Sequence, residues 1–458
     1  MVDRVADNPE TSSCTALTSV VGRVDADPFD VIHSVHLPVR FAWSEPGDAC
    51  TMVAGCGTGA RIMSERGRRL EDLRRRGTRI LSEGEVIAPD GASVPDRAFP
   101  RWFGGISFPG RPDASDLWKP LGSASFLIPS IQVTNGEDGT WVSVTTRDGA
   151  VSDLKRRFSA IRERVDRRSD RTVRNKRAPE LRRIAQEPAD PDAWRERVET
   201  VLEAIEGGSL QKAVLAQRRT LAMRDELSPG TLLRRLFDAR SSSYRFLLAR
   251  GGRVFIGRSP ECLVRKQGRS VRSESVGGTA EAGASEEEKR AFAEQLRDNR
   301  KDQREHSFVV RSIRDRLAPY CDEIKEGTQT VRVQSNVQHL CTPINATLAD
   351  DRHVLELVDT LHPTAAVGGV PRDRALEMIR DLEPFERGLY SGPVGWFDRE
   401  GDGCFAVGIR SGVQRGDQVH LYAGAGIVEG SQPDREWEEV QWKFETMTDL
   451  LADQSDSV

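Results

Sequence analysis

From Gly392 to Val428 the chain runs through "GPVGWFD", "CFAVGIRSGVQ" and "QVHLYAGAGIV", apolar or alternating stretches parted only by Gly-containing turns. Strands joined over so few residues pair antiparallel, because a parallel pair needs a crossover of about a dozen residues or more. The same pattern recurs upstream. "VIHSVHLPVRFAW" from Val31, "RWFGGISF", "SFLIPSIQV" and "TWVSVTT" read as strands in the first part of the chain. "QKAVLAQRRTL", "SYRFLLAR", "RVFIGRSPECLVRK", "RSVRSES" and "TQTVRVQSNVQHL" follow in the second. Neither a dinucleotide-binding glycine fingerprint nor a phosphate-binding P-loop stands between a strand and a helix. The pattern predicts an α/β (α+β) fold of antiparallel sheets with helices on their outer faces.

Helical spacing marks Ile62 to Arg76, the basic stretch from Lys155, and "DPDAWRERVETVLEAIEGG" with Asp190 as N-cap, Pro191 in the first turn and Gly207-Gly208 as the stop. A long helix is expected from Ser285 to Leu317, opened by the capping pattern "SEEE". Further helices are expected from His353 to Leu361, over "RDRALEMIRDLE", and after Gly430. Residues 1–20 are polar and read as disordered or frayed, 21–185 as a sheet-rich region, and 186–458 as the region that carries the chemistry.

With 30% charged and 37% hydrophobic residues and no apolar run of about 18 residues, the chain is expected to be soluble and to span no membrane. The N-terminus lacks a basic stretch followed by an apolar one, and seven cysteines lie scattered without CxxC spacing, which together suggest a cytoplasmic protein with reduced thiols. Lys155 to Arg183 is strongly basic, but Glu163, Asp166 and Asp170 interrupt it. Phe158, Ile161 and Val165 give it an apolar stripe, so it reads as a solvated helix face rather than a nucleic-acid site.

Several polar residues need a reason to be where they are. Lys212 interrupts an apolar strand; it either opens the strand facing solvent or faces inward, where an ammonium must be paired or act as a base. Glu261 stands between Ile256 and Leu263, and a carboxyl there is suited to stay protonated and donate. Glu436, Glu439 and Lys443 share one helical face, which is either a solvated salt bridge or half of a cation site. Lys301, Asp302 and Glu305 form a second charged patch, with Glu305 at the edge of apolar "FVV". Carboxylates from two helices suit Mg²⁺, which retains waters and often joins an anionic substrate. "GAG" at Gly424 to Gly426 and "SVGGT" at Ser275 to Thr279 read as backbone turns able to face an anion, and Arg410 as a bidentate clamp for a carboxylate.

In order along the chain, "QKAVLA", "GRSPECLV", "GGT", "KDQREHSFV", "VQHL", "LHPTAAVGGVP", "GLYSGPVGW", "FAVGIRS" and "YAGAGIVEGSQPDREWEEVQWK" resemble the chorismate-utilising enzymes, and within them the isochorismate synthases. The resemblance covers residues 190–458. It implies one large fold of two antiparallel sheets packed together with helices outside, in which the N-terminal region and the chorismate-binding region intertwine.

The resemblance also implies roles. Lys212 would activate the water that attacks ring C2, and Glu261 would protonate the departing C4 hydroxyl. Glu305 and Glu439, helped by Glu436, would hold Mg²⁺. Gly278, Thr279, His339, Ala366, Tyr390, Arg410, Gly424, Ala425, Gly426 and Lys443 would line the chorismate site. Ala366 stands where aminating relatives carry threonine, which favours water as nucleophile and no glutaminase subunit. "HPTAAV" leans towards the menaquinone rather than the siderophore branch.

Two positions depart from the pattern: Gln217 replaces an arginine, and "GGTAE" with Glu281 replaces "AGTR". The alternatives are a salicylate synthase, which goes on to eliminate pyruvate, and a non-catalytic chorismate-binding regulator. A monomer or a homodimer is expected.

Overall fold

The structure is a computed structural model that describes residues 16–451 apart from 48–51, 65–69, 90, 92, 111–114, 170–182, 187–189, 239–241 and 335. Two sheets form its centre. The larger has thirteen strands and runs from Arg183–Gln186 through Lys212–Met223, Gln418–Val428, Ser411–Arg415, Arg253–Ser259, Tyr244–Arg250, Val39–Ser44 and Met52–Cys56. It continues through Ile131–Gly136, Gly139–Thr146 and Thr18–Val24 to Glu85–Ile87, with Gly369–Val370 added beside Lys212. The smaller has ten strands, from Cys321–Glu326 through Val337–Leu348, Ser270–Glu281, Cys262–Gln267, Gly403–Val407, Pro393–Phe397, Trp102–Ile106 and Ala124–Ile128 to Ala60–Ser64, with Thr330–Gln334 added beside Val337–Leu348. Among the described residues every ladder is antiparallel except that of Thr18–Val24 with Glu85–Ile87.

Both faces are covered along the middle of each sheet, where strands such as Pro393–Phe397 and Tyr244–Arg250 are buried almost throughout. Along Tyr244–Arg250, Phe246 and Leu248 enter an aromatic layer between the sheets, while Leu247 and Ala249 enter the layer under the helices. Phe41 of the larger sheet meets Phe103 of the smaller at 4.4 Å between ring centroids. Strands from distant parts of the chain lie side by side, as in Ser44 opposite Arg245 and Gly105 opposite Val394.

Some sequence expectations hold at the level of caps. Asp190 accepts from Ala193 N, and Ser285 with Glu288 closes a full capping box. Phe158, Ile161 and Val165 are buried under the helix Val151–Ser169; residues 170–182 of the basic stretch lie outside the described residues.

Other expectations are corrected. Ala60–Ser64 is a strand, paired with Ala124–Ile128, and the helix expected over 62–76 spans Leu70–Ser82. Val31 to Ser34 is helical rather than extended, because Asp27 caps a helix with Pro28 at its first turn. The long helix is two, Glu286–Asp298 and Arg300–Leu317, parted at Asn299, whose extended backbone (ψ 115°) ends one and whose side chain accepts from Lys301 N and Asp302 N to start the other. Of residues 1–20, those from Thr18 are in a strand and 1–15 lie outside the described residues.

One edge of the lysine-bearing strand is completed by side chains instead of a strand. Between its pairings with Gly369–Val370 and with Arg183–Gln186, Arg387 donates to Val214 O at 2.6 Å and Glu383 accepts from Ala216 N at 2.8 Å. The two side chains pair with each other at 2.5 and 2.8 Å, and Arg387 also donates to Val367 O. Removing one partner leaves a buried charge and a bare strand edge. Arg387→Met is therefore expected to lower the unfolding free energy by about 3–5 kcal/mol, read from the urea midpoint; an unchanged midpoint would refute this role.

Candidate active site

The site lies where strands cross from one sheet to the other. Arg253–Ser259 of the larger sheet passes through Pro260 and Glu261 into Cys262–Gln267 of the smaller, while Gly403–Val407 of the smaller passes through Gly408 to Arg410 into Ser411–Arg415 of the larger. The crossings are tied by Val407 N donating to Glu261 O and Arg258 N donating to Arg410 O. Glu261 and Arg410 are thereby set close together in the interior. Arg410 is held at φ 49°, a left-handed conformation that a non-glycine residue adopts only when its surroundings demand it.

Lys212 begins its strand fully buried, with 0% of its side chain exposed, and its ammonium stands 3.1 Å from Glu305 Oε1. Of the two sequence readings for Lys212, the inward one holds. The contact depends on Gly426 opposite: a Cβ there would lie 2.1 Å from Glu305 Oε1 and 2.9 Å from Lys212 Cε. Glu305 is carried by the helix Arg300–Leu317, which brings Lys301 and Asp302 with it on neighbouring turns. Glu436, Glu439 and Lys443 come from Pro433–Leu451, all buried, so the face read as possibly solvated is an interior one. Lys443 pairs with Glu439 and donates to Gly424 O at 2.8 Å. Lys301 Nζ stands 2.9 Å from Glu436 Oε1, 3.7 Å from Glu305 Oε2 and 3.8 Å from Asp302 Oδ1.

The electrostatics follow from burial and neighbours. Burial pushes Glu261 up to about 8; Lys212 and Arg410 pull against this, Glu274 adds to it, and Glu261 Oε1 has no hydrogen-bond partner. Burial and the adjoining carboxylates also raise Asp302 and Glu436 to about 7, Lys301 opposing in both. Glu305 and Glu439 feel the same burial but end below the usual carboxylate range, pulled down by Lys212 and Lys301 in the first case and by Lys443 and Lys301 in the second.

A second group flanks the carboxylates. The strand Ser270–Glu281 shifts register between Gly277 and Thr279, with Gly278 at φ +68°, and this bulge sets Thr279 opposite His339. His339 Nδ1 is 3.1 Å from Gly278 O and 3.2 Å from Thr279 Oγ1, and its Nε2 is 2.9 Å from Arg410 Nη2. Since a guanidinium only donates, Nε2 accepts and the proton is on Nδ1. Burial and Arg410 hold His339 neutral, well below its ordinary range. Tyr390, buried, stacks on Tyr422, and its hydroxyl would be 3.2 Å from a Cβ at Gly424.

Lys212, Glu261, Gly278, Thr279, Glu305, His339, Tyr390, Arg410, Gly424, Gly426, Glu436, Glu439 and Lys443 thus belong to one linked cluster. Two anticipated residues sit differently. Ala425 alternates away from Gly424 and Gly426 into the layer under the helices, and Ala366 packs against the layer under the smaller sheet. "GAG" is no turn: Gly424 to Gly426 is strand, paired with Ala216 to Val214, and neither glycine has positive φ. These glycines supply space rather than a nest. Gln217 lies an odd number of residues from Lys212 on an unbroken strand and so faces the opposite side, and Glu281 is exposed. Lys301 and Asp302, given no role from sequence, stand inside the cluster; their offsets of four and three from Glu305 were the available signal. A cavity of about 470 Å³ opens elsewhere, beside Trp43, Arg101 and Trp396, and holds none of these residues.

The family model described as chorismate binding enzyme matches residues 3–452. The chain belongs to the chorismate-binding enzymes. It is 31% identical over 423 residues to isochorismate synthase MenF of Bacillus subtilis, covering 90% of this chain and 88% of that protein. It is 31% identical over 391 residues to a salicylate biosynthesis isochorismate synthase of Pseudomonas aeruginosa, covering 82% and 79%. The structure of MenF, the menaquinone-specific isochorismate synthase from Escherichia coli, shares the fold with a TM-score of 0.75 at 24% identity, covering 96% of this chain and 95% of that one. No described helix of this chorismate-binding enzyme is long and apolar enough to cross a membrane.

The tautomer can be checked directly. In ¹⁵N-labelled protein at pH 6, His339 is expected to be neutral with its proton on Nδ1; an imidazolium signal would contradict the Arg410 contact. His306, pushed down to about 4 by burial, behaves alike. Both histidines bind protons more readily when unfolded, so their contribution to stability is full above about pH 6.5 and declines as pH falls below it.

Proposed function

We propose that this protein is an isochorismate synthase, adding water at C2 of chorismate and expelling the C4 hydroxyl. One observation carries the reading: Lys212, fully buried against Glu305, and Glu261, buried with Oε1 unpartnered and its proton held more tightly by that burial, share a single interior site. For this step Lys212 has first released its own proton to solvent; as the C2–O bond forms its neutral amine takes the proton of the attacking water, and Glu305 at 3.1 Å holds the resulting ammonium. The ring double bonds shift, and the C4–O bond breaks as Glu261 delivers its proton, so that one water enters and one leaves. Arg410, buried with His339 as its neutral partner, is suited to take a substrate carboxylate, and Tyr390 and Thr279 to line the ring site.

The acidic residues fit Mg²⁺. Glu305, Glu436 and Glu439 are hard oxygen donors, Glu436 Oε2 is buried without a partner, and a cation, the Lys301 ammonium, already stands within 4 Å of three carboxylates. As the side chains stand, no three among the described residues are grouped tightly enough to hold a metal, which is consistent with an ammonium among them. When bound, Mg²⁺ would supply the positive charge that lets a dianion approach these carboxylates and, as a Lewis acid towards the ring carboxylate, would draw electrons from the diene.

The names of the relatives favour isochorismate as the product. Incubation with chorismate and Mg²⁺ is expected to yield isochorismate and no nitrogen-containing product when ammonia is added; salicylate with pyruvate would favour the second step of the alternative. The pH dependence of kcat/KM is expected to fall above about pH 8, where Glu261 loses its proton among Lys212, Arg410 and Glu274. Glu261→Gln should abolish turnover and not merely move this limb. Gly426→Ala, by driving Glu305 from Lys212, should cost about 100-fold in kcat with the fold intact by circular dichroism; unchanged turnover would remove Lys212 from the base role.

A further inference from the structure

One cation in the cluster is used by no step above. Lys301 stands within 4 Å of three carboxylates from two helices, and the other cations are committed elsewhere: Lys212 to Glu305 Oε1, Lys443 to Glu439 and Gly424 O, Arg410 to His339. Glu305 is divided, Oε1 facing Lys212 and Oε2 facing Lys301. Without Lys301, Glu436 and Asp302 would have no ion-pair partner in the cluster, an arrangement that burial makes costly.

Lys301 also differs from its neighbours in access. Its side chain is 20% exposed, against 0% for Lys212, and it sits in the first turn of its helix, just past the break at Asn299. A flexible four-carbon stem of this kind can swing its head to solvent, whereas Lys212 is enclosed. Two cations within a few ångströms of the same oxygens repel strongly in a poorly solvated site, so occupancy by Lys301 and by a divalent ion is mutually exclusive.

We propose that Lys301 is the built-in counter-cation of this carboxylate cage, leaving for solvent when a divalent cation enters, and so sets how tightly the metal is held. The inference rests on reading the cage as a Mg²⁺ site. It makes metal binding a replacement of one cation by another and assigns Lys301 two effects of opposite sign: it stabilises the metal-free protein and weakens metal affinity.

The test uses full-length protein without substrate. Calorimetric titration with MgCl₂ is expected to show Lys301→Met binding roughly tenfold or more tighter than wild type, the worth of one charged hydrogen bond. Metal-free Lys301→Met should melt below metal-free wild type, and saturating Mg²⁺ should close the gap. Lys301→Arg, which keeps the charge, should bind no tighter than wild type. In wild type itself, Mg²⁺ should increase reductive methylation of Lys301 while Lys212 remains protected, a readout independent of whether the variants fold. Equal or weaker Mg²⁺ binding by Lys301→Met, or Lys301 methylation unchanged by Mg²⁺, would overturn the displacement. Absence of Mg²⁺ binding in wild type and every variant would overturn the metal reading beneath it.

Discussion

The site depends on a lysine and a glutamate meeting in the interior, both buried. Lys212 and Glu305 come from a strand and a helix far apart in sequence, and neither is tolerable there alone. Their approach is possible because residue 426, opposite on the neighbouring strand, has no side chain. Around this pair the remaining charges arrange themselves in alternation, Lys301 between Glu305 and Glu436, Lys443 beside Glu439, so that ammonium and carboxylate groups interleave. Burial pushes Glu261 and His339 towards their uncharged forms, as it does Asp302, Glu436 and His306.

The two-sheet architecture makes such a site possible. A strand that crosses from one sheet to the other must break its ladder, and the residues at the crossing project into the space between the layers. Glu261 and Arg410 occupy two such crossings, tied side by side by backbone hydrogen bonds. The strand bearing Lys212 is buried on both faces, and where it lacks a neighbouring strand the Arg387–Glu383 pair supplies the missing donors and acceptors. Rigid backbone thus supports every charged group whose position matters, while the loop bearing Ala366 runs along the strand's start through Gly368 O and Val370 O.

Much of this was legible in the chain itself. Lys212 and Glu261 stood out because charge interrupts apolar strands, and Glu436, Glu439 and Lys443 because helical spacing puts them on one face. What escaped depends on partners distant in sequence. Whether Glu436 and Glu439 met solvent or interior is decided by the helix Arg300–Leu317 packing nearby, which no local pattern states. Lys301 and Asp302 stand out in the sequence as a charged patch with Glu305, but their place inside the cluster depends on Glu436 from a helix distant in sequence. Ile62 and Met63 were taken into a helix because two apolar residues near a helical run satisfy either period; pairing with Ala124–Ile128 decides for the strand. Gly424 and Gly426, anticipated as a turn, lie flat because their neighbours Ala423, Ala425 and Ile427 fill the helix-side core.

The pairing of Val39–Ser44 with Tyr244–Arg250, and of Trp102–Ile106 with Pro393–Phe397, also bears on how the molecule assembles. Each of these ladders closes a loop of hundreds of residues before it returns any favourable contact, so topology of this kind folds slowly and leaves unpaired strand edges open in the meantime. Neither half of the sequence owns a finished sheet. Cells making this protein should therefore need chaperone capacity in proportion to its synthesis, and severing the chain near its middle would produce two sticky fragments rather than two working modules.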